Sequence, residues 1–244
     1  MNYKTPPFDN IDLRKAIAHA IPYDSIIRDA YFGDAKKWKG IIPSSYTDFH
    51  EPSTIYDENL EKAKQFLAKA GYPDGKGLEQ FKDAFNLSYI TEKESQLGPV
   101  VTLIKSNLAK IGIDVQLDPM PQTQYGDRQL VKKDLPFAVN DQEKPIAPDA
   151  VYGFLLFFVS QEKGGLNTMV NYSNAKVDEL YAQALIEGDA AKRTAQAAEV
   201  QEILANEVAW IPVLEWKTQW AFNDKIKGIK WHPDNSIRWY DLSK

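Results

Sequence analysis

Cysteine is absent from all 244 residues, which removes disulfides, thiolate metal ligands and cysteine nucleophiles together and leaves the redox compartment open. Histidine is nearly as scarce. His19, His50 and His232 stand far apart, and none pairs with another at the four-residue spacing that places two imidazoles on one helix face, so neither a metal site nor a cofactor is expected. No apolar run approaches the ~18 residues of a membrane-spanning helix. Charge of neither sign dominates: 29 Lys and Arg against 34 Asp and Glu leave a formal net charge of -5, without the basic footprint of a nucleic-acid binder. The glycine patterns of nucleophile elbows, Walker loops and dinucleotide folds are missing as well. Gly71, Gly75 and Gly77 follow a predicted helix instead of opening one, the wrong context for holding a phosphate. Asp141, Glu143 and Asp149 supply carboxylates of the type used in acid/base pairs, but nothing in the sequence fixes their separation. They are read first as solvated loop acids and a helix N-terminal Asp, and an enzyme is not expected.

What the chain does have is enough apolar material, 43% of its residues, to bury a sizeable core in one large or two small domains. Leu13, Ile17 and Ala20-Ile21 form a helical stripe behind an Asp9/Asn10 cap, stopped by Pro22; Asp24 is expected to cap a short second helix ended by Gly33. Leu60, Ala63, Leu67 and Ala70 repeat at helical spacing before Gly71-Tyr72-Pro73, the form of a left-handed C-terminal cap. Phe85, Leu87 and Tyr89 alternate as a strand. Val100 to Ile111 read as a helix closed by Gly112, and Ile113, Val115 and Leu117 alternate again. This strand-helix-strand unit implies a parallel or mixed sheet with helices packed on it. Further along, the pattern predicts a helix over 123–133, a short buried strand at Phe137-Ala138-Val139, and a central, all-apolar helix from Tyr152 to Val159 with Pro148 at its start. Two amphipathic helices capped by Asn174 and Asp189 follow, then a strand over 209–216. The loops 36–53 and 140–147 carry the most Pro, Gly and polar residues and are expected to face a ligand.

Five ordered segments carry a resemblance. Pro7-Phe8-Asp9-Asn10-Ile11-Asp12-Leu13-Arg14-Lys15-Ala16-Ile17 with Ala20-Ile21 resembles the P-F-x-N-x-x-[VL]-R-x-A-[LI] segment of the solute-binding proteins of ABC transporters, family 5, which bind peptides or nickel. Tyr56-Asp57 with Lys62-Ala63 and Ala70-Gly71-Tyr72-Pro73-Asp74-Gly75 is similar to a second motif of that family, Leu108 with Ile111-Gly112-Ile113 and Val115 to a third. Tyr172 with Asn174, Val177-Asp178 and Leu180 resembles a fourth, and Gln201-Glu202-Ile203-Leu204 leading to Ile211-Pro212-Val213 a fifth. The resemblance spans nearly the whole chain.

It implies an α/β fold of the type II periplasmic-binding-protein class, a mixed sheet flanked by helices. Residues 1–209 would form the carboxy-terminal lobe, and 210–244 a tail returning toward the hinge and first lobe. In the family the opening motif lies about halfway along, and the residues after Met1 lack an export signal's apolar stretch. A signal peptide and an amino-terminal lobe are therefore expected outside this segment, with the parent periplasmic or extracellular and membrane-associated. The implied function is capture of a peptide-like or other small oligomeric solute for a permease, by two lobes closing on it. Asp141 is the implied partner of a ligand's amino group, with Glu143 as the alternative; Asn140, Tyr125 and Tyr152 are the other candidate contacts. The loop departs from the family in having no Trp, and Lys144 is placed to neutralise either acid. Two other functions stay open: the sensing domain of a regulator with this fold, and a carbohydrate-active hydrolase suggested by acids plus aromatics. Trp210, Trp216, Trp220, Trp231 and Trp239, with Phe222 and Tyr240, crowd the last thirty-five residues; such rings suit an inter-lobe surface or self-association through the tail.

Overall fold

Most of the longer helices begin where a short polar side chain, Asn10, Asn59, Asp149, Asn174 or Asp189, takes over backbone N–H groups that have no partner inside the helix. In the computed structural model, which describes residues 1–140, 147–166, 170–217, 219–230, 232 and 236–243, Asn10 caps α1 (Ile11–Ala20) by accepting from the N–H groups of Asp12 and Leu13. The chain then forms α2 (Tyr23–Ser25), continued by a π-turn over Ile26–Ala30, β1 (Ala35–Lys37), α3 (Leu60–Lys69), β2 (Asn86–Ile90), α4 (Glu94–Ala109), β3 (Gln116–Met120), α5 (Gln122–Gly126), continued by a π-turn over Asp127–Lys132, and β4 (Phe137–Ala138). After these come α6 (Ala150–Phe157), α7 (Ala175–Ile186), α8 (Ala190–Asn206) and β5 (Leu214–Trp216).

β3, β2 and β4 form a parallel sheet in that order, with Ser88 aligned on Asp118 on one side and on Ala138 on the other. Parallel strands need long crossovers, which α4 provides between β2 and β3. β1 and β5 pair antiparallel in a separate two-stranded ribbon, so the two directions of pairing expected of one mixed sheet occur in two sheets. Side chains alternate across the parallel sheet: Leu87, Tyr89 and Phe137 enter the large core, whereas Ile90, Met120 and Ala138 join Tyr125 and Leu135 on the opposite face.

The apolar residues collect in two main bodies. One gathers α1, α3, α4 and one face of the sheet, around Leu13, Ile17, Leu67, Leu87 and Val101; the other gathers α6, α7 and α8, around Phe154, Phe158, Val177 and Leu204. They are joined by a polar knot. The buried Arg14 guanidinium lies over the Tyr3 ring, 3.9 Å from its centre. It donates to the carbonyls of Phe8 (2.8 Å), Asp9 (3.0 Å) and Glu207 (2.9 and 3.2 Å). The Glu207 carboxylate accepts from Tyr172 at 2.6 Å and Asn174 at 2.9 Å. Burial, then the bond to Glu207, holds the Tyr172 phenol well above its ordinary pKa. A cation at the C-terminus of α8 also meets the negative end of the helix dipole.

Several local expectations are corrected. Asp24 lies inside α2, whose first residue follows Pro22 without a side-chain cap. Asp149, not Pro148, opens α6: it accepts from Tyr152 N–H and is gripped by Arg193 at 2.8 and 3.0 Å. α6 is sealed only partly, with Val151, Phe154, Phe158 and Val159 buried but Tyr152, Leu155, Leu156 and Phe157 half-buried. The helix over 123–133 gives way to a wider turn after Gly126, and the strand over 209–216 shrinks to Leu214–Trp216. The loop 36–53 turns inward for much of its length: Ile41, Ile42 and Tyr46 pack into the second core, and Asp48 accepts the N–H of Ala150 at 2.9 Å. His19 is a packing residue, stacked on Phe66 and bonded through Nδ1 to the Asp57 carbonyl at 3.0 Å.

The described residues beyond Trp216 lie mostly at the surface. Trp210 packs on Phe158, Phe157 and Trp38, and Trp216 leans on Tyr31; Trp239 and Tyr240 are 76% and 84% exposed. Trp231 lies outside the described residues.

Candidate functional site

A parallel sheet sends all its strands' carboxyl ends to one edge, where loops and helix N-termini offer polar groups above a buried base; ligands of open α/β sheets settle there. Here β2 leads into the turn at Thr91–Lys93, β3 into Pro121 and α5, and β4 into Val139 and Asn140. The first two exits are tied together, because Glu92 accepts the N–H of Gln122 at 2.9 Å. Glu92 thus satisfies one of the donors that α5 leaves open at its start.

Tyr125 forms the base of the third exit. Its ring is 2% exposed and packs with Ile90, Met120, Leu135 and Ala138. Its hydroxyl lies 3.0 Å from the Val139 carbonyl oxygen and 2.7 Å from Asn140 Oδ1. Gln129 Nε2 donates to the same Oδ1 at 3.0 Å. A phenol has one proton, so it serves either oxygen in turn, while Gln129 keeps a donor on Asn140 throughout. This fixes both the amide and the point where the chain leaves β4 for the loop 140–147. Alongside, Ser88 donates to Asp118 Oδ2 at 2.9 Å, and Arg128 bonds Asp134 at 2.9 Å and lies 3.9 Å from Asp118. Ser88 is fully buried, and its polar atom is satisfied by the neighbouring strand, as burial demands.

Of the residues picked from the sequence, Tyr125 and Asn140 are brought into contact. Tyr152 is half-buried on α6 and makes no hydrogen bond or ring contact with either among the described residues. Asp141 and Glu143 lie outside the described residues. Gln129 was not singled out in the sequence; its position four residues after Tyr125, hence on the same helical face, was the available signal. No grouping of three or more potential metal ligands occurs among the described residues, and no helix there is long and apolar enough to cross a membrane.

Known proteins resemble this chain in sequence and in fold. Residues 1–165 match the profile of the bacterial extracellular solute-binding proteins, family 5 Middle. The probable D,D-dipeptide-binding periplasmic protein DdpA of Escherichia coli K12 is 24% identical over 235 residues, covering 96% of this chain and 43% of DdpA. The glutathione-binding protein GsiB of the same strain is 28% identical over 247 residues, covering 99% of this chain and 46% of GsiB. The oligopeptide-binding protein AppA of Bacillus subtilis, solved with a nonapeptide, superposes on the whole chain and 50% of its own length with a TM-score of 0.85 at 22% identity. The chain therefore spans about half the length of the curated relatives it matches, and its α/β architecture is that of one lobe of a type II periplasmic binding protein. With 165 of its 244 residues under the family profile, the chain belongs to the bacterial extracellular solute-binding proteins, family 5.

Proposed function

We propose that this chain is the second lobe of the substrate-binding component of an ABC transporter, capturing a peptide-like or other small oligomeric solute for import. The observation that carries the reading is the carboxyl edge of the parallel sheet, where Tyr125 and Gln129 anchor Asn140 at the mouth of the loop that holds Asp141 and Glu143. An anchored exit suits a recognition loop, because a ligand-binding group costs less to use when its base is already ordered. Asp141 is the group assigned to a solute's ammonium, through a charge-assisted hydrogen bond; Glu143 is the alternative acid, and Tyr152 on α6 is the remaining candidate contact. The chemistry is binding without turnover. Closure of two lobes gives the solute contacts on both sides, so it favours the closed form by its differential affinity.

Residues 210–244 are assigned as the tail that meets the hinge and the amino-terminal lobe, with the permease as the partner of the closed form and a periplasmic or extracellular, membrane-associated setting for the parent protein. The exposed Trp239 and Tyr240 rings support such a covering partner. In the protein carrying both lobes, calorimetry against dipeptides, longer peptides and glutathione should give saturable binding for at least one. Turnover of a peptide or glycoside panel would replace this reading with the hydrolase.

A further inference from the structure

At the boundary of the two cores the chain leaves a small cleft lined by Trp38, Gly40, Ile41, Tyr56, Trp210 and Pro212, among others. Tyr56 belongs to the first core, and Ile41 and Trp210 pack with the second. The Trp210 ring is held by Phe158, Phe157 and Trp38 at centroid distances of 4.7, 5.4 and 5.8 Å. Its Nε1–H is nevertheless buried without a hydrogen-bond partner. The neighbouring Trp38 indole differs, donating to the Ile42 carbonyl at 2.8 Å. Gly40 and Ile41 are buried too, yet their backbone groups form no hydrogen bond among the described residues. An unpaired indole donor and an unpaired stretch of backbone beside one cleft are two independent departures from the rule that buried polar groups find partners.

We propose that this cleft is a binding site for one ordered water molecule, which accepts the Trp210 indole N–H and donates to the backbone between Gly40 and Ile41. The space is enough for such an occupant. The space open to the centre of a water molecule is about 20 Å³, whereas one buried water needs roughly 10–15 Å³ on that measure. Chemistry agrees, because water is both donor and acceptor and can serve an N–H and a carbonyl together, as internal waters with about three hydrogen bonds do. So placed, it links the loop after β1 to the segment after α8 across the boundary between the cores.

The test uses the intact chain. With 15N-labelled tryptophan, the Trp210 Nε1–H should show a cross-peak to a long-lived water, and a crystal structure with visible solvent should show density within hydrogen-bond distance of that nitrogen. In the Trp210→Phe protein, both signals should vanish while the cleft persists. An indole proton bonded to a protein carbonyl, or no water signal in the unaltered protein, would overturn the proposal without any variant having to fold. Solvent density that persists in place in Trp210→Phe would likewise count against the indole as its holder.

Discussion

Arg14 shows how much of the fold rests on one side chain. A guanidinium has five donors in a rigid fork, and here four hydrogen bonds run from it to three carbonyls, tying the start of α1 to the end of α8. Removing it strips the buried Phe8 carbonyl of this donor and leaves the Glu207 carbonyl only the Tyr3 hydroxyl, 2.8 Å away, at about 1–3 kcal/mol for a buried group left unsatisfied. Arg14→Met should therefore lower stability by about 1–3 kcal/mol. Arg14→Lys should recover little of that, since a lysine cannot span the same carbonyls. Urea unfolding would show the loss as a shifted midpoint at constant slope, and a loss below about 1 kcal/mol for both variants would mean that the knot is solvated.

His19 makes a second prediction at the same scale. Burial lowers its pKa below 6.5, and the hydrogen bond to the Asp57 carbonyl only partly opposes this. The unfolded chain then takes up the proton first, so the fold loses stability as the pH falls through about 6.5 and downward until the folded-state pKa is reached. His19→Phe, which keeps a ring against Phe66, should remove that part of the pH dependence. Equal slopes in the two proteins between about pH 7.5 and about pH 5.5 would contradict it.

Helix ends explain both what could be read from the sequence and what could not. α3 closes with Tyr72 N–H bonded to the Leu67 carbonyl and Gly71 N–H to that of Ala68; α4 closes the same way through Ile113 to Leu108 and Gly112 to Ala109. Gly71 and Gly112 take φ values of 95° and 85°, where a side chain is strained, and both stops were legible as glycines. α8 ends by the same pair of bonds, Ala209 to Leu204 and Val208 to Ala205, but its left-handed residue is Val208, at φ 53°. A β-branched residue there costs on the order of 1–3 kcal/mol, which its complete burial offsets; no local signal marks such a stop, and the predicted strand accordingly began too early. The caps Asn10, Asn174 and Asp189 were read correctly because capping is local chemistry. The division into two cores was not, because it depends on contacts distant in sequence. At the site, the strand before Asn140 was legible from its apolar run, whereas the Gln129 bond required the register of α5 against β4.

The glycines also allow a paired test. A methyl group on Gly75 would collide with the Gly112 backbone, while one on Gly71 would meet nothing within 4 Å. Both positions have positive φ, so both alanine variants carry backbone strain of about 1 kcal/mol, but only Gly75→Ala must also push two helix ends apart. It should be the less stable of the pair by more than about 1 kcal/mol in thermal or urea unfolding. Equal losses would show that the two ends move freely.

On the proposed reading, the sheet edge receives a ligand and the tail meets a partner. Trp239, Tyr240 and Phe222 are each exposed in the last stretch of chain, and exposed aromatic surface is commonly covered by another protein surface. Tested as this segment alone, the chain is expected to self-associate through the tail. Light scattering should report a mass that rises with concentration and falls back to one chain in a Trp239→Ser, Tyr240→Ser double variant. A monomer at every concentration in the unaltered chain would remove self-association.

The ligand edge is the central claim, and affinity tests it most directly. In the protein with both lobes, Asp141→Asn should weaken binding of a free-amine peptide by about 1.5–3 kcal/mol, the range for a hydrogen bond to a charged group. Calorimetry would read this as roughly a 10- to 150-fold rise in Kd. Unchanged affinity in Asp141→Asn with binding abolished in Glu143→Gln would move the role to the second acid, and unchanged affinity in both variants would contradict peptide capture at this edge.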